Sequence, residues 1–324
     1  MRKKTFKMEN DIPTNIEGAI LDLKDKKNAV ILAHYYQEAE IQDLADFVGD
    51  SLALAQAAAE VDREVIAFCG VHFMAETAKI LNPKSTVVVP DLEAGCSLAD
   101  GCKPEKFKAF IASHPGSKVV SYINTTAEIK ALSDLICTSS NAVKMIEHLE
   151  GEKIIFAPDR HLGRWVSKKA NRTDMILWPG ACIVHEQFSA KGLATLKIRN
   201  PGARVLSHPE CDDSVLAQSD FIASTTGIIR EAVDCDEEVL IIATEDGVFH
   251  QIEKELRVKG KRKKILQAPG MDETCSCNQC PYMRLNNLEK LYLCLRDLSP
   301  EVTVQEELRL QALRPIELML ELSK

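Results

Sequence analysis

Short apolar runs punctuate the chain at regular intervals, and four of them recur in the same order three times. The first set reads AVILAHYYQ, ADFVGDS, EVIAFCGV and STVVVPD, and the second KVVSYIN, DLICTSS, KIIFAPD and MILWPG. The third reads ARVLSHPE, DFIASTT, VLIIATED and KILQAPG, giving a period of about 86 residues. Each run is almost continuously apolar and rich in Val and Ile, which suits a parallel strand buried on both faces. Segments with helical periodicity, LALAQAAAEV, NAVKMIEHLE and GIIREAV, follow the second run of each set, as parallel crossovers require. The pattern predicts an α/β protein of three homologous three-layer αβα domains, each with a four-stranded parallel sheet, in pseudo-threefold arrangement. Their expected limits are residues 14–114, 115–200 and 201–300, with a C-terminal helical tail at 301–324.

Polar residues keep the same register. His34 and Tyr36 close the first run, Tyr122 and Asn124 stand 88 residues later, and His208 and Glu210 follow after a further 86. Ser51, Ser139 and Thr225 end the second runs, each 17 residues beyond His34, Tyr122 and His208. Pro90, Pro179 and Pro269 close the fourth runs, and Cys96, Cys182 and Cys280 lie shortly beyond them. Open parallel sheets bind ligands outside the carboxyl ends of their strands, so these residues mark the functional edge of each unit. Three matching edges imply one shared centre, with three separate sites as the alternative.

Ser51, Ser139 with Ser140, and Thr225 with Thr226 each precede a helix and are expected as N-caps. Three helix N-termini facing one cavity would favour a small anionic substrate carrying phosphate or carboxylate groups. Glu210 is the candidate general base, with desolvation expected to raise its pKa toward neutrality.

The 11 cysteines are too few and scattered for a small secreted disulfide scaffold, yet more than a plain cytosolic core needs. Three thiolates fall short of the four ligands of a structural zinc site. A 4Fe-4S cluster held by Cys96, Cys182 and Cys280 would keep one iron open as a Lewis acid. The CSCNQCP stretch, with Cys275, Cys277 and Cys280, offers a local metal motif as a competing arrangement. Cys69, Cys137, Cys211, Cys235 and Cys294 read as small buried hydrophobes.

With 324 residues, 45% apolar and 27% charged, the chain is long enough for two or three folded domains. A formal charge of −8 argues against a general nucleic-acid binder, which needs a broad basic surface. The basic run Lys259 to Lys264 reads as a solvated turn. Met1 to Lys7 is basic without the apolar core of a signal peptide, and no run of about 18 apolar residues spans a bilayer. A cytoplasmic location without membrane contact is therefore expected.

AHYYQ, GDSLALA, YINT, TSSNA, HPEC and STTG, together with the three placed cysteines and the final one followed by Pro281, resemble the quinolinate synthase (NadA) family. The likeness covers nearly the whole chain. It implies three αβα domains around a central cavity and one 4Fe-4S cluster with an iron not ligated by protein. It also implies condensation of iminoaspartate with dihydroxyacetone phosphate to quinolinate, with loss of phosphate and two waters, in NAD biosynthesis. L-aspartate oxidase or aspartate dehydrogenase would then supply the iminoaspartate. Carried over, His34, Tyr36, Ser51, Tyr122, Asn124, Ser139, His185, His208, Glu210, Thr225 and Thr226 would line the substrate cavity, with Glu210, Tyr36 and His208 catalytic. His185 has no repeat-equivalent partner and rests on ACIVHE beside Cys182. Cys275 sits one position too close to Cys277 for the CxxCxxC of some members, which makes a regulatory disulfide doubtful. The competing reading outside enzymology is an iron-sulfur sensor of redox state or iron.

Overall fold

A computed structural model of the chain describes residues 12–271 and 278–324. Cys275, Cys277 and the basic run Met1 to Lys7 lie outside the described residues. Every apolar run of the threefold pattern forms a strand. The first sheet contains β1 (Ala29–His34), β2 (Phe47–Gly49), β3 (Val65–Cys69) and β4 (Thr86–Val88). The second contains β5 (Lys118–Tyr122), β6 (Leu135–Cys137), β7 (Ile154–Ala157) and β8 (Ile176–Leu177). The third contains β9 (Arg204–Ser207), β10 (Phe221–Ile222), β11 (Val239–Ala243) and β12 (Lys264–Gln267).

All strand pairs within the three sheets are parallel, in the orders β2-β1-β3-β4, β6-β5-β7-β8 and β10-β9-β11-β12. Pairing repeats residue for residue: Leu32 faces Phe47, Val120 faces Leu135 and Leu206 faces Phe221. A carboxylate fastens the edge strand to the central one in every unit. Asp46, Asp134 and Asp220 each accept the N–H of the residue 15 positions earlier, Ile31, Val119 and Val205, at 2.8 Å. Their own N–H groups return to the carbonyls of those residues at 2.9 Å.

Strands β1, β3 and β7 are buried along their whole length, as unbroken apolar sequence requires when helices cover both faces. The crossover helices Ser51–Glu60, Ala142–His148 and Thr225–Asp234 lie where the periodicity places them. Among the described residues, no helix is long and apolar enough to cross a membrane.

Two C-terminal helices join the units. Leu288–Asp297 packs on the helix Ile16–Lys26 and on β3, burying Leu291, Cys294 and Leu295 against Ile20, Ile31 and Val65. This segment was expected within the third unit, at 201–300, yet its apolar stripe covers the first sheet. Glu306–Leu322 packs across the helix Ala127–Ala131, β6 and the helix His72–Leu81, so the tail spans the first and second units.

Candidate active site

The carboxyl ends of the three central strands converge on one cavity, walled by His34, Tyr36, Ser51, Tyr122, Asn124, Ser139, His185, His208, Glu210 and Thr225. Cys96, Cys182 and Cys280 line the same cavity. Thr226 does not stand in its wall. That hydroxyl turns to the first unit and donates to Asp50 Oδ2 at 2.7 Å.

The hydroxyl residues differ from the expected N-caps by one position. Asp50 caps the helix Ser51–Glu60 by accepting from Ala53 N–H at 3.1 Å, and Ser224 caps Thr225–Asp234 by accepting from Gly227 N–H at 3.4 Å. Ser51 and Thr225 are thus the first helical residues. Ser139 lies in the turn before Ala142–His148, where Asn141 Oδ1 accepts from Thr138 N–H at 2.6 Å. Neighbouring side chains satisfy the helix ends, so Ser51 and Thr225 are spared capping and border the cavity.

A hydrogen-bonded chain crosses the site. His185 Nδ1 lies 2.8 Å from Glu210 Oε2 and 3.3 Å from Cys182 Sγ, while its Nε2 meets Thr244 Oγ1 at 2.9 Å. Thr244 Oγ1 continues to the Tyr36 hydroxyl at 2.8 Å, which meets Thr225 Oγ1 at 3.1 Å. The His208 ring stacks on His185 with centroids 4.6 Å apart. His34 and Tyr36 meet edge to face at 4.4 Å.

Burial governs the ionisation of these groups. It lowers His34 to about 4 and His208 to about 3, so both imidazoles are neutral at physiological pH. It raises the Tyr36 and Tyr122 phenols well above their usual range. Glu210 departs from the sequence expectation. Burial pushes its carboxyl up, but the adjacent His185 and the donating Tyr122 hydroxyl outweigh that penalty and hold it down at about 2. Glu210 is therefore a fixed carboxylate that accepts hydrogen bonds, rather than a base tuned toward neutrality.

The cysteines share one local design. Cys96 and Cys182 directly precede the helical turns Ser97–Gly101 and Ile183–Glu186, and Cys280 stands just before the 3-10 turn Met283–Leu285. Burial raises Cys96 to about 12 and Cys280 to about 11, and Cys182 well above its usual range. The N–H groups of Leu98 and Ala99, of His185, and of Tyr282 and Met283 pull the three thiols back down. All three residues are half-buried; thiols in such a setting ionise when a metal replaces the proton, and N–H groups aimed at sulfur suit the thiolate so formed. Cys182, His185 and Glu210 bring ligand atoms within 4.8 Å of one another and could hold a metal ion. His185 already spends both ring nitrogens on Glu210 and Thr244, which leaves the three thiols as the less committed donor set.

Sequence reasoning missed Thr244, Asp50, Asp159 and Glu245. Asp50 lines the cavity, and Thr244 completes the hydrogen-bonded chain. The repeat carried a signal for Thr244: its equivalents are Gly70 and Pro158, so only the third unit places a hydroxyl just past its third strand.

Three doubly wound units turned onto one shared set of half-buried thiols and buried imidazoles and carboxylates define an α/β enzyme with a site assembled from internal repeats. The family model described as "Quinolinate synthetase A protein" matches residues 18–321, and the chain belongs to that family. A protein named quinolinate synthase from Synechococcus sp. is 56% identical over 314 residues, covering 97% of both chains. Another so named, from Chloroherpeton thalassium, is 58% identical over 303 residues, covering 93% of this chain and 92% of its own. A third, from Trichodesmium erythraeum, is 55% identical over 315 residues, covering 97% of this chain and 96% of its own.

Proposed function

We propose that this chain condenses iminoaspartate with dihydroxyacetone phosphate to quinolinate, releasing phosphate and two waters, as a cytoplasmic enzyme of de novo NAD biosynthesis. The observation that carries the reading is the meeting, in one cavity, of three cysteines from three units with the chain from Tyr36 through Thr244 and His185 to Glu210. Cys96, Cys182 and Cys280 would hold a 4Fe-4S cluster, one ligand from each unit. When bound, the cluster supplies an open iron that polarises a substrate oxygen or nitrogen for loss of water.

The protein groups supply binding and proton handling. Ser51, at the N-terminal end of its helix, offers a hydroxyl donor to phosphate and carboxylate oxygens, and the helix starting at Thr225 offers backbone N–H groups. Among the described residues the Asn124 amide oxygen is buried without a hydrogen-bond partner, which suits it to accept from a substrate hydroxyl or imine. Glu210 and His185 form the accepting end of the proton chain, and Tyr36 the donating end. His34 and His208, kept neutral by burial, add uncharged hydrogen-bonding groups to the wall. Glu210 is still the residue on which proton transfer depends, by fixing His185 rather than by being a strong base.

The test is quinolinate formation from the two substrates by anaerobically reconstituted enzyme. Glu210→Gln is expected to lower kcat by about 100-fold or more. Iron-replete protein that makes no quinolinate would remove the reading, whereas full activity in Glu210→Gln would remove only the role given to that carboxylate.

A further inference from the structure

Two buried carboxylates occupy the same place in consecutive units, two residues beyond the third strand. Asp159 follows β7 and Glu245 follows β11, 86 residues apart, and 88 residues before Asp159 the equivalent position holds Val71. Both carboxylates are fully buried. Each divides its two oxygens in the same way. Asp159 Oδ1 serves its own turn, accepting from Leu162 N–H at 2.8 Å, while Oδ2 reaches 23 residues along the chain to accept from Cys182 N–H at 3.1 Å. Glu245 Oε2 accepts from Gly247 N–H at 2.7 Å, while Oε1 reaches 35 residues to Cys280 N–H at 3.2 Å and also takes Arg284 Nη2–H at 3.1 Å.

Local capping accounts for one oxygen of each residue and not for the other. A buried carboxylate is costly unless donors surround it, and in both units a donor comes from the backbone of a cavity cysteine. The first unit lacks this device: Val71 is apolar, and the adjacent loop is tied main chain to main chain, His72 N–H to Ala94 carbonyl at 2.7 Å.

We propose that Asp159 and Glu245 are positioning residues that hold the Cys182 and Cys280 loops in their metal-binding shape before metal arrives, leaving Cys96 the least constrained ligand. The inference rests on the cluster reading above. Fixing the backbone of a ligand residue restricts where its sulfur can point, so two arms of the site are set by the fold and the third closes on the metal.

Two measurements decide it. Asp159→Ser keeps a residue able to cap Arg160–Lys169 but too short to reach Cys182, and Glu245→Gln replaces one accepting oxygen by a donor. In reconstituted holoenzyme both variants are expected to lose iron to a chelator about 10- to 100-fold faster than wild type, while the melting temperature of iron-free Asp159→Ser stays close to that of wild type. In iron-free wild-type protein, hydrogen exchange should show the Cys182 and Cys280 amides protected and the Cys96 amide exchanging faster. Wild-type iron release in both variants, or equal exchange at the three amides, would overturn the proposal. Failure of wild-type protein to load iron would sink the cluster reading instead, and the exchange pattern would still decide the positioning roles.

Discussion

His185 makes hydrogen bonds that dictate where its proton sits. The Glu210 carboxylate can only accept, so Nδ1 carries a hydrogen, and in the neutral ring Nε2 accepts from Thr244 Oγ1. Thr244 in turn accepts from the Tyr36 hydroxyl, and Tyr36 accepts from Thr225. Every member then donates in one direction, toward Glu210, which is the condition for relaying a proton along the chain. Removing the Thr244 hydroxyl breaks the relay without touching a cysteine. Thr244→Val should lower kcat by up to about 100-fold with iron content unchanged, and Thr244→Ser should recover most of it. Steady-state kinetics beside iron analysis checks this, and equal activity in the two variants would count against the relay.

At the scale of elements, the three aspartates at the start of the edge strands show how each unit fixes its register. Asp134 Oδ2 accepts from Val119 N–H on the central strand while its own N–H returns to the Val119 carbonyl, as in the other two units. Asp134→Ala should lower stability by about 1 kcal/mol, because one charge-assisted bond at a half-exposed side chain is lost. Asp134→Asn, which keeps an accepting oxygen, should lose less, and urea denaturation would separate the two. The twelve strands were legible because unbroken apolar runs flanked by helical periodicity have few other solutions. Cap positions were not. Asp50 and Ser51, or Ser224 and Thr225, are adjacent residues of types that all cap helices, and only the backbone path decides which side chain turns inward.

At the scale of the molecule, matched spacing put His34, Tyr122 and His208 at equivalent strand ends, and the packing of the units on one another brings them to one cavity. Relations between units were less legible. The low pKa of Glu210 depends on His185, which the helical turn Ile183–Glu186 of the second unit carries to a residue of the third. Neither the pattern of strands nor the spacing of polar residues announces that contact. The helix Leu288–Asp297 is amphipathic, but amphipathicity does not say which sheet it covers, and it returns to the first. Asp159 and Glu245 were hidden for a related reason: the first unit carries Val71 at their position, so the threefold pattern breaks where two units brace their cysteines. One cysteine from each unit in a single cluster is the arrangement on which the proposed function depends. Iron and sulfide analysis with EPR of anaerobically reconstituted wild type, Cys96→Ser, Cys182→Ser and Cys280→Ser tests it most directly. About four irons per chain are expected in wild type and a lost or altered cluster in every variant; a normal cluster in any one of the three would contradict the shared three-cysteine site.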